Sequence, residues 1–473
     1  MKIIKNYIYN ASYQILVIIV PLITTPYVNR ILGPYGIGIN TFTNTIIQYF
    51  ILAGSLGISL YGNQQIAYVR NDKIKMARTF WEIQIIKTIG IIISSIAFFV
   101  YLIFLSNYKW YMLLQFSNLF ATAFDISWLF QGIENFKITV LRNTFVKLIS
   151  VFLIFLLIHT SGDIGIYILI SGISTFLGNL TLWPTVHRVL PKIKFLRLNP
   201  WKHIGPAVAL FIPQVALQVY QVLNKTILGI LVNVQSSGFY YDADTIIKML
   251  LSLITALGTV MLPHAANAFA MGHKEKINKM MYLSSEVTTC VTMAFSFGLA
   301  AISLKLAPIF FGKPFFAVGP AMMIEAPVIY LAGFSGVLGT QYLLPTNQVK
   351  PYTISLILGA VVSIIFNFIL IPVWQLAGAM IATVLSELSV TIYQLYYLIS
   401  SKQLILSNLF KDFYKYFVSG FIMFIVVFYL DLNLSKTILS LVIEITFGVI
   451  IYVGSLWLFK ANSVLVLKKI LKK

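Results

Sequence analysis

A chain of 473 residues that is 59% hydrophobic and only 10% charged, with mean hydropathy +0.88, is excluded from the ordinary soluble class, because soluble domains carry about 25% charged residues. The single cysteine, Cys290, excludes an internal disulfide and any cysteine-based metal site, and the five histidines show no metal-ligand spacing. The net charge of +20 invites a nucleic-acid reading, and its placement along the chain argues against one.

The reading is an all-α polytopic membrane protein. The chain opens MKIIKNYIYN and runs into an apolar stretch too long for a signal h-region, so no cleaved leader is expected. Fourteen apolar segments follow, at about 8–31, 37–62, 79–105, 110–131, 138–159, 163–186, 204–232, 239–268, 281–304, 317–345, 351–372, 376–400, 413–431 and 436–459. Each is long enough to cross ~30 Å of hydrocarbon. With the N-terminus inside, 25 of the 34 Lys and Arg fall in inside loops, 5 at outside ends and 4 within spans. Lys305 is among the outside ends. This positive-inside bias predicts both termini in the cytoplasm. The basic stretch HRVLPKIKFLRLNPWKH follows six segments and precedes eight. That order predicts a six-helix bundle at 1–186, a cytoplasmic linker at 187–203, a second six-helix bundle at 204–400, and two extra helices with a basic tail at 401–473. The turns G-P-Y-G (33–36) and S-S-G-F (236–239) hold corresponding places in the two halves. Prolines 21, 26, 213, 263, 320 and 327 lie inside spans, where each removes a helical hydrogen bond and permits a kink.

Polar residues in these segments recur at helical spacing. Asn40, Asn44 and Gln48 share one face of the second segment, and Gln115, Asn118, Thr122 and Asp125 mark the fourth. In the seventh, Gln214, Gln218, Gln221 and Lys225 form a stripe. In the eighth, Asp244, Lys248, Ser252, Thr255 and Thr259 do the same, and Asp244 and Lys248 are positioned to pair. A lysine deep in a span costs about 2.5–3.5 kcal/mol on insertion scales, so Lys225 and Lys248 point to a water-filled path. Lys87 and Lys147, nearer a boundary, are expected to snorkel to the interface. The competing reading of the stripes is hydrogen bonding between packed helices. Asp125, Asp244, Glu286, Glu325 and Glu387 are candidates for ion coupling. No P-loop is present, no cofactor is expected, and no catalytic residues are assigned.

PLITTPYVNRILGPYGIG, YFILAGSLGISLYGNQQIAYVR, SWLFQGIENFKITVLRNTFVKLIS, GNLTLWP, LFIPQVALQVYQVLNKTILG and GFYYDADTIIKMLLSLITALGTVMLP, spread over most of residues 1–400, resemble the Wzx-type polysaccharide repeat-unit flippases of the multidrug/oligosaccharidyl-lipid/polysaccharide (MOP) superfamily. The last two segments look generic. The resemblance implies a V-shaped, MATE-like pair of six-helix bundles plus two helices, alternating access, and an undecaprenyl-pyrophosphate-linked oligosaccharide as substrate. It adds Asn224 and His264 to the candidate cavity, beside Arg30 and the stripes. Family members often carry Asp and Arg at those two positions, and Arg within the stretch that holds Gln64 and Gln65 here. Implied partners are membrane lipids, a polysaccharide polymerase and glycosyltransferases, with no nucleic acid. Alternatives are a multidrug or organic-cation exporter, which would favour an acidic cavity, a lipid II-type flippase, and a membrane enzyme. The short loops leave no room for a catalytic domain, which argues against the enzyme.

Overall fold

The computed structural model describes residues 2–104, 107–193 and 198–462, and every regular element among them is helical. In chain order these are α1 (Lys2–Ser55), α2 (Ile58–Val69), α3 (Lys73–Phe104), α4 (Lys109–Ala123), α5 (Ser127–Gly132), α6 (Phe136–Leu157), α7 (Ile164–Leu180), α8 (Trp183–Val189) and α9 (Ile204–Leu231). Then come α10 (Val234–Ala270), α11 (Lys274–Phe310), α12 (Val318–Glu325), α13 (Pro327–Leu338), α14 (Val349–Ser400), α15 (Leu406–Leu409), α16 (Phe413–Asn433) and α17 (Ile438–Leu458). Short 3-10 turns precede α9 and α12, and one π turn, Gly339–Leu343, follows α13. Among the described residues, nine stretches are long and apolar enough to cross a membrane. The chain is a multi-pass membrane protein.

Two of the nine, Ile18–Val69 and Val349–Ser400, hold 52 residues each. An unbroken helix of that length would run roughly 78 Å, more than twice the hydrocarbon thickness. Each carries a break. In α1 the helix holds through Pro21 and Pro26 and breaks at Gly33 (φ 68°, ψ 175°), a left-handed conformation that glycine adopts without a Cβ clash. In α14 the break falls at Gln375 (φ 49°, ψ −121°). The expected turn at 236–239 is instead helical. The chain breaks at residues 232–233, and Asn233 accepts the Ser236 N–H at 2.8 Å at the start of α10, so a side chain replaces the glycine turn as the helix signal.

The chain divides into two compact units, Met1–Thr226 and Ile227–Lys473. Lipid tails are as apolar as leucine, so helix association within each unit depends on close packing and on polar contacts. In the N-terminal unit, a Cβ on Gly90 would stand 2.4 Å from the Gly54 carbonyl oxygen, so only glycine lets α3 approach α1 this closely. Phe80 stacks on Trp128 at 5.3 Å between centroids, within a buried cluster that includes Tyr61, Ile66 and Ile83. Such a ring pair adds about 0.5–1.5 kcal/mol beyond its burial. In the C-terminal unit, α11 packs against α13 and α16, and Met293, Tyr416, Met423, Val427 and Tyr452 make a shared core.

Candidate functional site

The polar stripes of the second and fourth segments meet. Gln115, fully buried on α4, donates to Asn40 Oδ1 (3.3 Å) and Thr43 Oγ1 (3.2 Å) on α1. Its carbonyl accepts from Asn118 (2.9 Å) and Asn44 (3.4 Å). Amides can both donate and accept, so one chain of them closes with few orphan atoms. Asn40 and Asn44 therefore tie α1 to α4, and Gln48 is half-buried one turn further along.

A second polar centre sits where α4 stops and α5 begins. The break at Phe124–Ile126 frees carbonyls in apolar surroundings, where each unsatisfied group costs several kcal/mol. Four side chains from other helices or turns supply donors. Asn179 reaches Ala121 O (2.7 Å), Gln84 reaches Ala123 O (2.8 Å), Trp183 reaches Phe124 O (2.9 Å) and Lys87 reaches Asp125 O (2.6 Å). The Asp125 carboxylate accepts the Ser127 N–H at 2.9 Å, meets Arg142 at 3.5 Å, and feels the Lys87 charge. The expectation that Lys87 snorkels is overturned: it is completely buried, because the broken helix and Asp125 give its ammonium a partner inside.

On α9, Asn224 is buried, Lys225 half-buried and Gln218 exposed, with Thr226 Oγ1 3.1 Å from the Tyr49 hydroxyl. The side chains of Gln214, Gln221 and His264 lie outside the described residues. Arg30 is exposed on α1.

A third cluster escaped the sequence reading. Glu82, 1% exposed on α3, takes the Asn199 N–H (2.9 Å), Lys202 Nζ (2.7 Å) and His203 Nε2 (3.0 Å). The Tyr61 hydroxyl lies 2.6 Å from His203 Nδ1. A neutral ring that gives its Nε2–H to Glu82 and accepts from Tyr61 satisfies both bonds. Burial, with Lys202 alongside, holds His203 below its ordinary pKa of 6.5, against the pull of Glu82. The only signal in the sequence was a lone acid in an apolar helix.

In the C-terminal unit, Asp244 and Lys248 pair at 2.9 Å as their spacing predicts, and the buried Glu325 acts on Lys248 through space. Glu387 is half-buried on α14. Glu286 accepts from the Tyr416 hydroxyl at 3.1 Å. Lys305, placed at an outside end by the sequence, is fully buried. It pairs with Glu444 of α17 and lies 3.8 Å from Asp431 of α16. The last two helices, which looked generic, supply both acids of this triad. Among the described residues no group of three or more His, Cys, Asp or Glu side chains is placed to hold a metal ion.

These arrangements bind and neutralise. Among the described residues, amides, hydroxyls and ion pairs join neighbouring helices within each unit. The profile of the family described as "Polysaccharide biosynthesis protein" matches residues 3–269. A protein of Escherichia coli (strain K12), named "Putative O-antigen transporter", is 27% identical over 409 residues, covering 85% of this chain and 98% of that protein. One of Shigella dysenteriae with the same name is 23% identical over 79% of this chain and 94% of its own length. Among solved structures, "Lipid II flippase MurJ, inward closed conformation" shares the fold with TM-score 0.72 and 16% identity, over 98% of this chain and 100% of that one. An inward-facing multidrug resistance MATE family transporter of the MOP superfamily does so with TM-score 0.65 and 13% identity, over 84% and 98%. The resemblance drawn from the sequence is borne out, and the chain belongs to the polysaccharide biosynthesis protein family.

Proposed function

We propose that this chain is a polysaccharide repeat-unit flippase of the MOP superfamily, moving an undecaprenyl-pyrophosphate-linked oligosaccharide from the inner to the outer leaflet of a bacterial cytoplasmic membrane. The observation that carries the reading is the likeness to an O-antigen transporter along 85% of this chain and 98% of that protein. Charge placement supports it. A pyrophosphate headgroup needs cations in a hydrated path, and Arg30, Lys225 and Lys248 supply them, with Asn224, His264, Gln214, Gln218 and Gln221 as donors to sugar. Asp125, Asp244, Glu286, Glu325 and Glu387 are the groups proposed for ion coupling. The work is binding and release with no bond broken.

In this reading the chain crosses the membrane fourteen times: the nine long apolar stretches give eleven crossings, because each 52-residue stretch crosses twice about its break, and α4 with α5, α9 and α10 add three. Both termini and the 187–203 linker face the cytoplasm, where the loop lysines and arginines concentrate. Two six-helix bundles, 1–186 and 204–400, alternate access to the path, and the two extra helices follow. A polymerase and glycosyltransferases act on either side of the transport step. The test is complementation: in a strain whose own flippase is deleted, this chain should restore surface polysaccharide and clear the accumulated lipid-linked units. Drug resistance without restored polysaccharide would overturn the reading in favour of an organic-cation exporter.

A further inference from the structure

A cavity of about 330 Å3 lies in the C-terminal unit, walled by α11, α15, the start of α16 and Asn462. Its polar wall is unevenly committed. Asp412 is occupied by Lys415 at 2.9 Å and by the Asn462 N–H at 2.9 Å. Glu286 takes the Tyr416 hydroxyl. Lys279 and Lys411, both exposed on the cavity rim, make no ion pair among the described residues. The Lys411 charge reaches Glu286 through space without a close ion pair, so two ammonium groups at one mouth still fit a phosphodiester. The rest of the wall is apolar, through Leu283, Leu409 and Phe413. That apolar lining continues outward as exposed side chains on the same helices, Leu283 and Val287 on α11 and Phe417 and Phe421 on α16. A ligand that is anionic at one end and apolar beyond it matches both surfaces, and a free phosphate matches only the first.

We infer that this cavity holds the phosphodiester headgroup of a membrane phospholipid, seated between α11 and α16 with its acyl chains along their apolar faces. Basic pockets between membrane helices recognise lipid headgroups in this way. The site is independent of the transported cargo and adds a lipid to the direct packing of α16 on α11.

The test is native mass spectrometry of the detergent-purified full chain titrated with phosphatidylglycerol. The wild type should retain lipid. Lys279→Ala/Lys411→Ala should weaken retention roughly tenfold or more, as loss of two charge-assisted contacts implies. Lys350→Ala, at an exposed lysine that does not line the cavity, should behave as wild type. Both cavity lysines are exposed, so the double variant should fold, and its thermal unfolding without added lipid should match the wild type. Equal retention by the double variant, an equal loss in Lys350→Ala, or displacement of the lipid by matching concentrations of glycerol 3-phosphate would each overturn the inference.

Discussion

Lys225 is the residue on which the transport proposal is most exposed to test. It is half-buried on α9, beside the buried Asn224 and on the face that also holds Gln218. A charged hydrogen bond contributes about 1.5–3 kcal/mol, so Lys225→Ala should accumulate normally yet cut polysaccharide export roughly 10- to 150-fold. Lys225→Arg should keep part of the activity, since a point contact depends on charge more than on shape. Normal export by the alanine variant would make this lysine a structural group. His203 gives a pH prediction. Its folded pKa is depressed by burial, so the fold that holds His203 neutral and accepting from Tyr61 is favoured above the ordinary imidazole value of 6.5, and that stability is lost as pH falls through the depressed one. Thermal unfolding in detergent should therefore fall between pH 7.5 and 5, and His203→Gln should flatten that part of the slope. An unchanged slope would show that His203 contributes nothing to it. The i, i+4 pair Asp244–Lys248 was legible in the sequence because helical spacing alone makes it. Glu82 was not, because its partners stand 117 and 121 residues away.

At the scale of the helix, the breaks matter more than the lengths. The apolar runs were readable from composition, and the interruption between 372 and 376 was readable too. What could not be read is how the freed backbone groups are satisfied. Gln84 and Lys87 come from one stretch of sequence, Asn179 and Trp183 from another more than 90 residues later, and all four meet at one helix end. Replacing Asn179 with Leu should remove the 2.7 Å bond to Ala121 O, leave that carbonyl only the Phe124 N–H at 3.2 Å, and cost about 0.5–1.5 kcal/mol. The check is a lower unfolding temperature without loss of the cluster around Phe80 and Trp128, followed by tryptophan fluorescence. Gln375 tests the other kind of break. A non-glycine residue at φ 49° is strained, so Gln375→Gly should accumulate at least as well as wild type, and Gln375→Val, with a β-branched side chain in the same conformation, should accumulate less. Equal membrane levels of the two variants would show that the break does not depend on the residue there.

For the whole molecule the open quantity is topology. Thiol labelling settles it once Cys290 is replaced by Ser. A maleimide that cannot cross the membrane should modify Asn107→Cys and Leu434→Cys from outside intact cells and leave Asn71→Cys untouched. Labelling at 71 would overturn the proposed orientation. The helical class and the transporter likeness were legible because a bilayer demands long apolar runs. The C-terminal pair was not, because its acids matter only beside a lysine on α11. Lys305 read as a loop end for the same reason: it lies near the edge of an apolar run, and the run does not show that α16 and α17 close over it.

That triad sets an order of events during synthesis. Glu444 lies 139 residues after Lys305. At about 5–20 residues per second, the lysine waits on the order of ten seconds for its acids to emerge from the ribosome. Until then α11 sits in or at the membrane with an ammonium that nothing in the chain has yet neutralised. A nascent chain arrested before α16 should therefore be recognised by membrane quality control and degraded, and Lys305→Met should spare it. The two terminal helices would then act as the signal that assembly is complete, whatever else they do in the finished transporter.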